Sequence, residues 1–326
     1  MNYDWLHISK EVEDDGLHKP ILSWMNPKGE YKHFWTGNTY YHSDVFDVST
    51  GEKLNVSFSP STKKLSIGIC PSKWVTGQNV RLVGMEDTLE AFKGIENDIG
   101  LELGDAKVNQ LDITQRPITD MSVGAYTPFL CQFRHSRPFS RLMFNDTLTY
   151  SSNSTPVSLT FYDKIRQTKT KGDKKVVRIP DDLKEKNVTT YEVRLNSNKQ
   201  IREKMGYKEE TPRLFHLFQE EYIKRLQEYF KDSYSLIPRN TEVGIDFRGL
   251  QGKKAVKDAI HNHTNSLVGR GYIEELLDIA DKSGCFPNRQ ARSEARNDLL
   301  KGFESSNKSN VIEELDEKIL KSEIKW

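Results

Sequence analysis

Apolar residues fall in two rhythms along this chain, and the rhythm changes near residue 212. Before that point most runs alternate. Leu65, Ile67 and Ile69 are separated by Ser66 and Gly68, the period of a half-buried strand. Residues 31–70 hold three such runs rich in aromatic and β-branched residues, the last two parted by Pro60, Ser61 and Thr62. Strands are also predicted at 107–114 and 188–195, with a hairpin over 146–164 turning near Asn153. One helix interrupts them at 87–99, where Leu89, Phe92, Ile95 and Ile99 recur at steps of three and four. A second is predicted from Ser122 as N-cap, against the tendency of Pro128. Residues 166–178 read as a mobile basic loop. After 212 the spacing is helical, as in Leu214, Leu217, Phe218, Tyr222, Leu226 and Phe230, with further helices near 273, 292 and 310. The fold class expected is α+β: a central antiparallel sheet with helices on one face, plus a helical C-terminal region. The division expected is a catalytic domain over 1–205 and a helical accessory region over 206–326.

Parity along three predicted strands singles out a polar set. Leu111 and Ile113 share a face, so Asp112 points the other way. Leu159 and Phe161 share a face, so Tyr162 and Lys164 point opposite. Tyr191, Val193 and Leu195 share a face, so Glu192 and Arg194 point opposite. Side by side, these strands would gather Asp112, Tyr162, Lys164, Glu192 and Arg194. Antiparallel sheets often carry a solvated polar face, so parity alone leaves that alternative open.

The chemistry such a set supports is phosphoryl transfer. Two carboxylates can hold a hard cation, Mg²⁺ or Mn²⁺, and the cation can polarise a phosphodiester. A tyrosine can attack phosphorus and keep the phosphoryl group covalently. A free phenol titrates near ~10, so it needs help at neutral pH. Lys164 can supply positive charge, and Arg194 can clamp the phosphate through paired hydrogen bonds.

Composition narrows the setting. Net charge is +1, from 48 basic and 47 acidic residues, so any nucleic-acid contact has to come from local patches. Candidate patches are Lys73 and Trp74, where Trp74 can stack on a base, and the run of Arg166, Lys169, Lys171, Lys174 and Lys175. A turn with Gly77 at positive φ is the alternative for the first, and a solvated charge run for the second. Cys70, Cys131 and Cys285 are too widely spaced for a disulfide framework or a zinc motif. The N-terminus lacks a signal-peptide pattern and no run approaches ~18 apolar residues, so a cytoplasmic protein without membrane contact is expected.

Four stretches, in order, resemble the gene II/X replication proteins of filamentous phages and related plasmids, themselves similar to the trans-acting rolling-circle initiators of staphylococcal plasmids. They are Cys70–Val80, Leu111-Asp112-Ile113, Phe161-Tyr162-Asp163-Lys164, and Tyr191-Glu192-Val193-Arg194-Leu195, within a span of about 65–235. The resemblance implies a nickase whose nucleophile is Tyr162, with acidic metal positions at Asp112 and Glu192 and basic neighbours at Lys164 and Arg194. It implies single- and double-stranded origin DNA as partner, with host helicase and polymerase beside it. Where that family carries Arg on the first strand, this chain has Gln110.

Other sites are weaker. His261 and His263 flank a polar Asn262 in a helix-like, lysine-rich segment, and His135 sits in a basic loop. Gln290 to Arg296 lacks a helix-turn-helix pattern. Two rival functions remain: a non-catalytic DNA-binding replication or repressor protein, which would not need Tyr162, and a metal-dependent nuclease using water, which would need only the carboxylates.

Overall fold

The computed structural model describes residues 2–27, 29–32, 38–47, 49–131, 139–144, 147–152, 155–171, 179–207, 211–239, 288–300 and 311–321. Contacts divide the chain into two units. One is Met1–Val123 with Phe133–Leu236 and Lys318–Trp326, and the other is Gly124–Gln132 with Ile237–Glu317.

The first unit is built on one antiparallel sheet. Its strands are β1 (Asn2–Glu11), β2 (Glu30–Lys32), β3 (Thr39–Phe46), β4 (Lys53–Ser59), β5 (Lys64–Ile69), β6 (Lys107–Gln115), β7 (Ile118–Thr119), β8 (Ser140–Phe144), β9 (Thr147–Ser152), β10 (Thr155–Asp163) and β11 (Asn187–Leu195). Their order is β2-β3-β4-β5-β1-β6-β11-β10-β9-β8, with β7 paired to β11 off that path. The N-terminal strand therefore lies in the middle of the sheet, joining the β2–β5 meander to the strands with the polar set.

Register sorts the two faces. Tyr3, Ile113, Val193, Leu159 and Tyr150 line up across five strands, all buried. This apolar face is covered by helices α1 (His18–Met25), α3 (Met85–Ile99), α6 (Asn198–Met205) and α7 (Glu220–Ser235). Phe230 of α7 packs on Tyr191 with ring centroids 4.7 Å apart, and Tyr234 sits 6.1 Å from Phe161. Phe92 of α3 meets Phe218, which meets Tyr3. Burial of these aromatics is what holds helices to sheet.

Some elements differ from their sequence expectation. The stripe that begins at Leu214 opens as a 3-10 turn over Leu214–Phe218 before α7. The helix expected from Ser122 shrinks to α4 (Val123–Tyr126) and a 3-10 turn holding Pro128, whose ring cannot sit inside a longer helix. The expected loop at 166 begins instead as helix α5 (Lys164–Lys171), with Asp163 Oδ1 accepting from the Arg166 N–H at 2.9 Å. That cap satisfies one orphan donor and starts the helix directly from the strand end.

Short helix α2 (Pro71–Thr76) ends at Gly77 with φ +70°, in the left-handed region. Gly77→Ala is expected to cost about 1 kcal/mol, checked by urea unfolding against the parent chain.

In the second unit, Tyr126 donates to Glu314, and Arg239 Nε lies 3.0 Å from Asp316 Oδ1. Helices α8 (Arg289–Leu300) and α9 (Val311–Leu320) occupy the described C-terminal residues. Among the described residues no helix is long and apolar enough to cross a membrane.

Candidate active site

The three strands singled out by parity are neighbours, in the order β6-β11-β10. Arg194 lies across from Asp112 on one side and Ser158 on the other. Glu192 lies across from Thr114 and Thr160, and Tyr162 across from Thr190. Cross-strand partners share a face, so Asp112, Glu192, Arg194 and Tyr162 converge on the side away from the helix-covered core. Lys164 arrives differently from its expected strand position. It is the first residue of α5, yet it stays 1% exposed, with Nζ 5.6 Å from the Tyr162 ring centroid and donating to Gln167 Oε1 at 3.1 Å.

The polar atoms form one connected network. Tyr162 donates its hydroxyl to Glu192 Oε2 at 3.2 Å. Arg194 Nη2 bridges the two carboxylates, 2.7 Å from Asp112 Oδ2 and 3.1 Å from Glu192 Oε1. Gln110 donates to the other Asp112 oxygen at 3.1 Å. The guanidinium's side chain is 42% exposed, so this end of the cluster faces solvent while the phenol end is closed.

Two further charged residues belong here and were not among the candidates. Between Tyr3 and Trp5 the register of β1 against β6 slips by one residue, a β-bulge at Asp4. An extra residue in one strand re-aims its side chain. Asp4 Oδ1 lies 2.6 Å from Arg116 Nη2, and Arg116 also donates to the Asn79 carbonyl. Cys70 contributes its thiol to Asp4 at 3.7 Å. Arg116 follows the end of β6 and its side chain is 2% exposed. No sequence rule marks a bulged Asp or a loop Arg as buried.

Burial and charge set the protonation states. Burial acts to raise the Asp4 carboxyl, but Arg116 and Lys164 outweigh it and hold it down to about 2. Glu192 is pushed up to about 7, first by burial and then by the neighbouring Asp4 and Asp112 charges. Asp112 is raised by burial, with Arg194 opposing. Tyr162 is pushed well above the usual phenol range by burial and by Glu192 and Asp4. Lys164 is lowered to about 8 by burial and by Arg116. The phenol is thus protonated at neutral pH, and the group it donates to is a carboxylate.

A family model for the N-terminal part of the phage gene II replication-associated protein matches residues 3–224. That span covers the whole cluster, from Asp4 to Arg194. The chain belongs to this family.

No curated protein is significantly similar. Among solved structures, a rolling circle replication initiator protein from Geobacillus stearothermophilus is 12% identical, with TM-score 0.36 over 72% of this chain and 84% of its own. The di-domain ARO/CYC BexL of the BE-7585A biosynthetic pathway is 8% identical, with TM-score 0.22 over 72% and 97%. Likenesses at these scores do not bear on the assignment.

For a replication-associated protein of this family a divalent cation is the expected cofactor. Among the described residues no group of three or more His, Cys, Asp or Glu side chains is placed to hold one. Asp112 and Glu192 are the two neighbouring carboxylates with the oxygen chemistry that Mg²⁺ or Mn²⁺ takes, and here both bond to Arg194. Such ions take one or two carboxylates and complete their shell with substrate oxygens and water.

The expected DNA contacts scatter more widely. Lys73 and Trp74 are half-buried on α2, with Lys73 Nζ 3.8 Å from Glu52. Arg166 and Lys169 are exposed on α5, which Lys171 closes. Lys174, Lys175, His135, His261 and His263 lie outside the described residues. Gln290 to Arg296 fall within α8.

Proposed function

We propose that this chain initiates rolling-circle replication. It nicks one DNA strand at an origin with Tyr162, stays attached through a 5′-phosphotyrosine and frees a 3′-OH to prime synthesis. The link is later reversed to close a circle. The observation that carries the proposal is the Tyr162 hydroxyl, 3.2 Å from a carboxylate in a buried cluster that also holds Lys164, Arg116 and Arg194.

The residues divide the work. Glu192 Oε2 takes the phenol proton as the phenol oxygen bonds to phosphorus. The P–O3′ bond breaks, and Lys164 gives a proton to the leaving 3′ oxygen. Arg194, at the open end, binds the scissile phosphate through its planar donors. Arg116 and Asp4 hold the floor of the cluster. A divalent cation held by Asp112 and Glu192 would supply Lewis-acid polarisation of the phosphate. A phosphodiester is exchanged for a phosphotyrosine, so no nucleotide cofactor is needed.

Single- and double-stranded origin DNA are the partners, with host helicase and polymerase at the freed 3′ end, in the cytoplasm of the host. Arg166, Lys169, Lys171, Lys174 and Lys175 would track backbone phosphates, as would Lys73 with Trp74 stacking beside it. The catalytic part is the N-terminal α+β region, and the C-terminal helices are an accessory region.

The test is a denaturing gel with labelled single-stranded origin DNA and Mn²⁺. A covalent adduct mapping to Tyr162 by mass spectrometry is expected. DNA binding with neither cleavage nor adduct would favour the non-catalytic alternative.

The pH profile is a second check. Glu192 must be unprotonated to accept the phenol proton, and burial raises it above the usual carboxylate range, so cleavage should rise with pH on the acid side. Lys164 must be protonated, so it should fall above about 8. The profile is therefore a bell. Glu192→Gln is expected to lower the rate about 10²–10⁴-fold and remove the acid limb. A variant that keeps that limb would take the proton-accepting role away from Glu192.

A further inference from the structure

We propose that the open cleft beside the tyrosine cluster binds unpaired nucleobases of the DNA strand flanking the scissile phosphodiester, with Trp5 as the stacking platform. The inference rests on the nickase proposal for the identity of that strand.

The cleft is about 900 Å³ and is lined by Trp5, His7, Gln110, Gly68, Asn55 and Asp44, among others. Its floor is the same sheet face as the tyrosine cluster. Trp5 lies directly across from Asp112. His7 lies across from Gln110 on one side and Gly68 on the other, Gly68 across from Asn55, and Asn55 across from Asp44. Partners in register share a face, so one polar surface runs from Arg194 through Asp112 into the cleft without a break. Gln110 belongs to both parts, since it lines the cleft and donates to Asp112 at 3.1 Å.

Trp5 is built in rather than loosely placed. A Cβ at Gly68 would come within 2.7 Å of Trp5 Cζ2 and 3.1 Å of Cη2. The indole therefore lies over the bare backbone of the neighbouring strand, a close approach that only glycine permits. It remains half-buried, so part of it is open to the cleft. A half-exposed Trp pinned in this way costs little ordering entropy when a flat ring stacks on it.

The chemistry of the lining decides between bases and phosphates. Arg194, Arg116 and Lys164 supply cationic charge at the cluster, and on the cleft side the His7 pKa is lowered by burial and by nearby Lys64. Beside the cleft, Lys53 is paired with Asp44 at 3.0 Å. The cleft offers aromatic faces in Trp5 and Trp24, imidazoles in His7 and His42, and the amides of Gln110 and Asn55. Aromatic faces stack bases, and amides pair with base edges. A strand whose phosphate sits at Arg194 would thus lay its neighbouring bases toward Trp5.

The experiment uses the full chain carrying Tyr162→Phe, so that binding is read without cleavage. Fluorescence anisotropy is measured with a labelled dT oligonucleotide and with copies carrying one abasic site walked along it. Trp5→Leu is expected to raise Kd about tenfold on the intact oligonucleotide, while Trp5→Phe stays near the parent. One abasic position should cost the parent a similar factor and cost Trp5→Leu nothing more. Matched thermal unfolding of the two Trp5 variants keeps misfolding apart from lost stacking. Parent-like binding by Trp5→Leu, or an equal loss on intact and abasic oligonucleotides, overturns the proposal. An adduct on Tyr162 without base-dependent binding would remove the cleft and leave the nickase. Base-dependent binding without an adduct would do the reverse.

Discussion

Replacing Tyr162 with Phe is expected to abolish the covalent adduct and lower strand cleavage by on the order of 10⁴-fold or more, the scale seen when a nucleophile is removed from a preorganised site. The substitution deletes one oxygen and keeps the ring. Tyr162 is 5% exposed, so the ring's packing should survive. The hydroxyl donates to Glu192 Oε2, and losing that bond should change stability by only about 1–2 kcal/mol. Single-turnover cleavage, adduct yield and oligonucleotide binding on one preparation separate the effects. Lost adduct with retained binding places the nucleophile at Tyr162. Cleavage within about tenfold of the parent, with no adduct, would mean that water attacks and that Tyr162 only fills space.

The second large effect concerns stability. Arg116→Leu is expected to destabilise the chain by about 3–5 kcal/mol, because it strips the counter-ion from a buried carboxylate. Arg116 Nη2 lies 2.6 Å from Asp4 Oδ1, with side-chain exposures of 2% and 11%. The pH dependence has a defined sign. Asp4 is held at about 2, below its unfolded value of 3.8. Its contribution is fully present above the unfolded value and is lost as pH falls from about 4 through about 2. The shift corresponds to about 2 kcal/mol. Urea unfolding at pH 7 and pH 3 should therefore show a steeper acid loss in the parent than in Arg116→Leu. Asp4→Asn combined with Arg116→Leu should be less damaging than the sum of the single changes. A loss below about 1 kcal/mol in Arg116→Leu would mean that the pair is not a structural element of the site.

Much of the site's face is legible from spacing. Leu111 and Ile113, Leu159 and Phe161, and Tyr191 with Val193 are buried on the helix-covered side, and their odd-numbered parity leaves Asp112, Tyr162 and Glu192 on the other. The family motifs sharpen the same residues, and the family model spans them. The spacing of Leu226 and Phe230 likewise marks the face that α7 buries.

The N-terminal strand escapes that logic. Tyr3, Leu6 and Ile8 all face the core, but the bulge at Asp4 puts two residues between the first two instead of one. Alternation fails at the position of the buried Asp4 carboxylate, and β1 therefore does not announce itself as a strand. Lys164 shows a related limit. Parity treats it as the next strand residue, whereas Asp163 caps a helix that begins there.

Period-two spacing is a property of a few neighbouring residues, so the chain's own order is enough to assign faces on β6, β10 and β11 and to put Tyr162, Asp112, Glu192 and Arg194 on the polar one, while the family resemblance is what singles them out as a site. Strand neighbourhood is not local. That β1 enters between β5 and β6, that a bulge turns Asp4 onto Arg116, and that Gly68 seats Trp5 beside Asp112 all depend on pairings between segments about 60 to 110 residues apart. Long-range hydrogen bonding and burial decide those pairings, and with them the charges that set the protonation of Glu192, Tyr162 and Lys164.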